Sequence, residues 1–214
     1  MNSADRAAVQ SRIGYSFNNE KLLDAAFTHS SYINEHNAVC NERIEFLGDC
    51  VLNFSVGERL FFGDRTASEG ALSARRAALV SRAPLARIVD GLGLIEFLRV
   101  GAGVNKSAFS AKTRSDLFEA ILGAVYLDGG FDACKQVLDV VFYPNVKPER
   151  DYKSELQEYA TERALTPVYT VEACDTGYKA TVTVGDGRYT GTAKRKHSAE
   201  IAAAKVAVAN LIKE

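Results

Sequence analysis

A chain of 214 residues with 47% hydrophobic and 25% charged side chains has room for two modest domains and the make-up of a soluble globular protein. Its formal net charge of -1 disfavours a binder of polyanions over its whole surface, so any such site must be local. Apolar runs are broken by charge or glycine well before the roughly 18 residues a membrane span needs. The N-terminal stretch MNSADRAAVQSR carries no apolar core or small-residue cleavage pattern, so a cytoplasmic protein with no membrane partner is expected. Cys40, Cys50, Cys134 and Cys174 show no C-x-x-C pairing and read as free thiols.

From Lys21 to about Phe142 the apolar residues recur at three- and four-residue steps, predicting an all-α domain. Helices are expected to start near Asn19, Asn41, Ser68, Ser81, Ser115 and Asp132, with Ser68, Ser81 and Ser115 as N-caps and Gly91 and Gly93 ending one run. Residues 144 to 152, PNVKPERDY, hold two of the four prolines and little apolar content, as a linker does. This predicts a domain over 1–145, a linker over 146–151 and a second domain over 152–214. The second begins with a short helix, SELQEYATERAL, then alternates over Val168–Ala173, Lys179–Val184 and Arg188–Ala193. Gly185-Asp186-Gly187 is a hairpin signal, and an Ala-rich helix capped by Ser198 closes the chain. The order α-β-β-β-α is a small α+β unit whose helices can cover one face of the sheet.

Asn41 to Leu52, NERIEFLGDCVL, sets Glu42, Glu45 and Asp49 within about 60° on one side of a helix. Like charges so placed repel, which a divalent cation would relieve; a solvated acidic face is the plain alternative. Ile44, Phe46, Leu47, Val51, Leu52 and Phe54 leave little of that helix for solvent and favour carboxylates beside a packed core. Asp116 and Glu119 form a second pair on the apolar helix SDLFEAILGAVYLDGG, which an N-terminal-turn charge also explains. Glu69 is a weaker contributor, readable as a helix-start charge. Oxygen ligands alone select Mg²⁺, with Mn²⁺ able to substitute, over zinc or copper. None of His29, His36 and His197 follows a Glu by three residues, which removes a di-iron bundle. Two divalent ions about 3.5 to 4 Å apart would support phosphodiester hydrolysis with no organic cofactor.

Residues 151 to 214 balance nine Lys and Arg against nine Asp and Glu, but Lys194, Arg195, Lys196 and His197 run together at the start of the last helix. Such runs are usually solvated surface, yet backbone N–H groups at a helix start make this one a phosphate clamp. Gln157 and Glu158 could meet sugar hydroxyls or be plain surface. With no aromatic set for stacking bases, double-stranded RNA fits better than single strands.

These residues carry a resemblance. NERIEFLGDCVL is similar to the signature of bacterial ribonuclease III, and GYSFNNEKLLDAAFTHSSY, SEGALSARRAALVS and SDLFEAILGAVYLDGG resemble its other helical segments. The C-terminal part, ending in AKRKHSAEIAAAK, resembles the family's double-stranded-RNA-binding domain. The resemblance implies a Mg²⁺-dependent endoribonuclease of double-stranded RNA in rRNA and mRNA precursor processing, leaving 5′-phosphates and a short 3′ overhang. It implies that Glu45, Asp49, Asp116 and Glu119 hold the metal, that hydrolysis depends most on Asp49 and Glu119, and that Glu42 and Glu69 assist. It also implies a homodimer, with Phe46, Leu47 and Cys50 at its contact. A non-catalytic double-stranded-RNA-binding protein on the same fold is the competing reading. Three departures stand out. The loop GAGVNKSAFSAKTRSDLF lacks a Gly-Gly-Arg-x-Arg, though Lys106, Lys112 and Arg114 keep it basic. The first hairpin, ACDTGYKA, lacks Gly-Pro-x-His, and His197 stands where a second Lys is common, so weaker and more salt-dependent duplex binding is expected.

Overall fold

The computed structural model describes residues 1–33, 35–36, 38–146 and 152–212. It divides into two compact units, Met1–Pro148 and Glu149–Glu214.

The first unit is helical: α1 (Ser3–Ile13), α2 (Glu20–Ala26), α3 (Ser30–Ile33), α4 (Glu42–Gly63), α5 (Glu69–Leu79), α6 (Arg82–Gly91) and α7 (Ala111–Val137). Helix α7 is its axis. Leu117, Phe118, Ala120, Ile121, Leu122, Ala124 and Val125 are all buried, so this helix is apolar on nearly every side, as a central helix must be. Helix α4 lies against it at unusually short range because glycines face each other. A Cβ on Gly48 would run into the carbonyl oxygen of Glu119, and one on Gly123 into that of Ile44. Only residues without side chains permit this backbone approach. The remaining core side chains, among them Phe27, Leu52, Leu85 and Phe142, fill the space around the pair.

In this unit the structure corrects four expectations. Helix α1 was not expected, although Asn2 caps it by accepting from the Asp5 N–H and Gly14 ends it at φ +69. Helix α7 begins at Ala111, one turn before Ser115. Ser110 is the N-cap, accepting from the Thr113 N–H, while Ser115 is buried and its hydroxyl donates to the Lys112 carbonyl. Ala111 to Arg114 hold no glycine or proline, so nothing stops the helix from starting a turn early. Ser81 precedes α6, but its hydroxyl donates back to the Ala78 carbonyl and leaves that helix start uncapped. Phe46 and Phe54 of α4 are 73% and 61% exposed, so they do not join this unit's core. Elsewhere the expected starts hold: Asn19 and Ser68 cap α2 and α5, and Gly130 at φ +78 breaks α7 two residues before Asp132.

The second unit runs α8 (Tyr152–Thr161), β1 (Val168–Cys174), β2 (Gly177–Val184), β3 (Gly187–Ala193) and α9 (Lys196–Leu211). The antiparallel sheet has the order β1-β2-β3, with Val171 opposite Ala180 and Val182 opposite Tyr189. Gly185 takes φ +57 in the turn between β2 and β3, the left-handed backbone that a two-residue hairpin needs. Leu156, Ala160, Ala180, Val182, Ala199, Ala203, Ala204 and Ala207 form a core of small side chains. Gly191 lets β3 lie directly on α9, since a Cβ there would meet the Ala203 backbone nitrogen. The last helix starts at Lys196, with Arg195 at the cap position, so Ser198 lies inside the first turn and is not the cap. Most of the expected linker, residues 147–151, lies outside the described residues.

Candidate active site

The close crossing of α4 on α7 determines what its flanking side chains meet. Glu45 lies one turn before Gly48 on α4, and Asp116 and Glu119 lie two turns and one turn before Gly123 on α7. One carboxylate oxygen from each of Glu45, Asp116 and Glu119 falls within 4.8 Å of the others. All three are partly buried. Because α7 starts at Ala111, Asp116 and Glu119 sit beyond its first turn, where the helix dipole no longer accounts for their charge.

The electrostatics show how tightly the charges are set. Burial, then the charges of Asp49, Asp116 and Glu45, push the Glu119 carboxyl up to about 8. Glu45 is raised as well, first by burial and then by Asp116. Carboxylates held together in this way fit a hard cation: the donors are all oxygen, and positive charge relieves the strain. Lys112, one turn before Asp116, supplies part of that charge from its Nζ, 2.5 Å from Asp116 Oδ2. The cleft over the cluster is also lined by Val80, Ser81 and Arg82 from the junction of α5 and α6.

Other acidic residues stand differently. Asp49 is exposed, one turn beyond Glu45, and Asn53 donates from Nδ2 to its carboxylate at 2.8 Å. It is outside the three-residue group, yet its charge is the foremost ionic cause of the Glu119 shift. Glu42 is exposed and close enough to raise Glu45. Glu69 opens α5, accepts from Ser73 Oγ at 2.8 Å and does not enter the group. Sequence reasoning missed Asn53, Arg82, Gly48 and Gly123. The four-residue step from Asp49 to Asn53 and the lone glycines within apolar helices were the available signals.

In the second unit, Lys194, Arg195, Lys196 and His197 are all exposed at the start of α9, and no side chain caps that helix. Lys196 Nζ stands 5.5 Å from the Tyr178 ring centroid, and His197 Nδ1 lies 3.8 Å from Glu200 Oε2. Gln157 and Glu158 are exposed on α8, where Gln157 Nε2 donates to Thr161 Oγ1 at 3.3 Å. The cluster offers exposed charge beside backbone N–H groups of a helix that no side chain caps.

Comparison with known proteins agrees with both halves. Residues 19–145 match the family model described as Ribonuclease-III-like, and residues 152–211 match the double-stranded RNA binding motif. Ribonuclease 3 of Bordetella avium is 44% identical over 78% of this chain and 68% of its own length. Ribonuclease 3 of Listeria monocytogenes is 35% identical over 95% of this chain and 96% of its own. The nuclease domain of ribonuclease III from Campylobacter jejuni superposes with a TM-score of 0.60 at 36% identity, covering 64% of this chain and 96% of that one. The chain therefore belongs to the ribonuclease III family, with a helical nuclease domain followed by a double-stranded-RNA-binding domain.

Proposed function

We propose that this protein is a Mg²⁺-dependent endoribonuclease of double-stranded RNA, with Mn²⁺ able to substitute, acting as a homodimer in the cytoplasm. The observation that carries this is the meeting of Glu45, Asp116 and Glu119 at the α4–α7 crossing, in a chain whose second unit is a duplex-RNA-binding fold. Glu45, Asp116 and Glu119 would hold the cation, with Asp49 completing the set from the exposed side. A cation bound there would supply Lewis-acid chemistry for phosphodiester hydrolysis, lowering the pKa of water and offsetting charge on the leaving oxygen. Asn53 orients Asp49, and Glu42 and Glu69 assist near the scissile strand. Lys194, Arg195, Lys196 and His197 hold backbone phosphates, with Gln157 and Glu158 toward sugar hydroxyls.

A homodimer gives the exposed apolar side of α4 its purpose. Phe46, Phe54 and Phe61 are each more than 60% exposed there, an arrangement that costs solubility unless it is covered. In the nuclease domain of ribonuclease III from Campylobacter jejuni, a region involved in dimer formation is structurally flexible. Two clusters in one dimer would cut both strands and leave 5′-phosphates and a short 3′ overhang, the products expected in rRNA and mRNA precursor processing. Among the described residues, no helix is long and apolar enough to cross a membrane.

The test is incubation of a long RNA duplex with the protein and Mg²⁺, with Glu119→Gln and a chelator control alongside. Cutting by the wild type alone supports the reading. A duplex that is shifted on a gel but left whole would mark a non-catalytic duplex-binding protein on the same fold.

A further inference from the structure

The metal reading leaves one group at the cluster without a task. Lys112 Nζ lies 2.5 Å from Asp116 Oδ2, and Asp116 is one of the three carboxylates that converge. The contact depends on the early start of α7: with Ser110 as cap, Lys112 and Asp116 lie one helical turn apart on one face. The two side chains differ in exposure, 58% for Lys112 against 20% for Asp116. The ammonium therefore reaches the cluster from the solvent side on a flexible stem, while the carboxylate is fixed by the helix packing.

We propose that Lys112 is a tethered counter-cation of the acidic cluster, competing with divalent metal for Asp116 and so setting the divalent concentration that the site requires. This rests on the metal role of the cluster proposed above.

Two further observations agree. The positive charge of Lys112 reaches beyond Asp116 and offsets the crowding of negative charge at Glu45 and Glu119. Arg82, which lines the same cleft, opposes the Lys112 ammonium, so the carboxylates are what hold it there. A monovalent ammonium satisfies one carboxylate at a time, whereas a divalent ion can be shared by three. The tether is thus a weak competitor that yields to metal, and an exposed pair of this kind changes an affinity by about fivefold at most. Salt screens it.

The experiment is titration of the full chain with Mn²⁺ followed by electron paramagnetic resonance, without RNA, near neutral pH and at low salt. The wild type is compared with Lys112→Met, Lys112→Gln, Lys112→Arg and Glu119→Gln. The expected result is a Mn²⁺ Kd tightened by about two- to fivefold in Lys112→Met and Lys112→Gln, and little changed in Lys112→Arg. The gap should narrow as KCl is raised. Equal Kd values for the wild type and both neutral variants would overturn the proposal, even with the metal site intact. If the neutral variants keep the wild-type Mn²⁺ Kd but lose duplex affinity in a parallel gel-shift assay with RNA, the proposal is also overturned, because Lys112 then serves the RNA backbone. Failure of the wild type itself to bind Mn²⁺ would remove the metal reading and this proposal together. Lys112 is exposed, so the neutral variants should fold, and circular dichroism would verify this.

Discussion

Gly48 of α4 and Gly123 of α7 face each other so closely that a methyl group on either would strike the other helix's backbone. The obstacle in each case is a carbonyl oxygen, of Glu119 for Gly48 and of Ile44 for Gly123, and each is held in its own helix's backbone, so neither can step aside without moving that helix. The acidic cluster is a consequence of this crossing, because Glu45 and Glu119 belong to the turns that the glycines bring together.

Gly48→Ala should therefore damage both stability and the site. Overpacking of this kind costs about 1 to 3 kcal/mol, which lowers the melting temperature by several degrees in a domain of this size. Mn²⁺ affinity should fall with it as the helices part. Gly70→Ala is the contrasting control: its position in α5 has open space around it, and the helix propensity of Ala should leave stability unchanged or slightly improved. Calorimetry that shows equal melting for Gly48→Ala and wild type would refute the crossing as the element that positions the site.

How much of this was legible in the sequence follows from what each element depends on. Glu45 could be grouped with Asp49, and Asp116 with Glu119, by helical spacing, and the strands of the second unit by alternation, because these signals are local. The joining of the two acidic pairs came from the family resemblance. The start of α7 could not be placed, since Ser110 and Ser115 are both acceptable caps and Ala111 to Arg114 hold no residue that would stop the helix between them. That choice decided whether Lys112 was loop or helix, and hence whether it met Asp116. Phe46 and Phe54 read as core because periodicity reports only that a side is apolar, without saying what covers it. The turning of Asp49 toward Asn53 is a choice among side-chain rotamers, on which residue spacing is silent.

Glu119 makes stability depend on pH in a direction opposite to that of an ordinary paired carboxylate. Its carboxyl moves from an unfolded value of 4.5 up to about 8 in the folded chain, so the folded state holds the extra proton across that window. Metal-free protein should thus lose stability as pH rises from about 5 to about 9. The full shift corresponds to roughly 5 kcal/mol, and partial solvent access reduces the expected effect to about 2 kcal/mol. Glu119→Gln, measured in chelator, should melt close to wild type at the acid end and several degrees higher at the alkaline end. A difference that stays flat across the range would show that Glu119 is an ordinary carboxylate.

The same proton makes metal binding visible by calorimetry. A cation that takes Glu119 must displace whatever proton it carries, so binding at neutral pH should release up to about one proton per site. Titrations in two buffers of different ionisation enthalpy would differ in apparent heat by that amount. Identical heats would mean that the cation binds without engaging Glu119.

The start of α9 should control duplex affinity. Arg195→Ala with Lys196→Ala removes two cations that stand exposed at an uncapped helix, so each lost phosphate contact should lower the slope of log affinity against log salt by about 0.9. Measured in a Glu119→Gln background to prevent cutting, binding at low salt should weaken by tenfold or more, with the difference closing as salt rises. Parallel salt titrations with equal affinity would remove Arg195 and Lys196 from the interface.

The exposed phenylalanines of α4 should determine assembly without touching the cluster. Phe46→Glu with Phe54→Glu places charge on the apolar side while every carboxylate of the three-residue group stays within one protomer. Sedimentation of this variant should show a monomer where the wild type shows a dimer, and Mn²⁺ binding should persist at near wild-type affinity. Cleavage should fall, and what remains should be single-strand nicks, because one cluster can reach only one strand at a time. A variant that still sediments as a dimer would place the contact elsewhere on the nuclease domain. One that loses Mn²⁺ binding along with the dimer would show that the partner supplies part of the site.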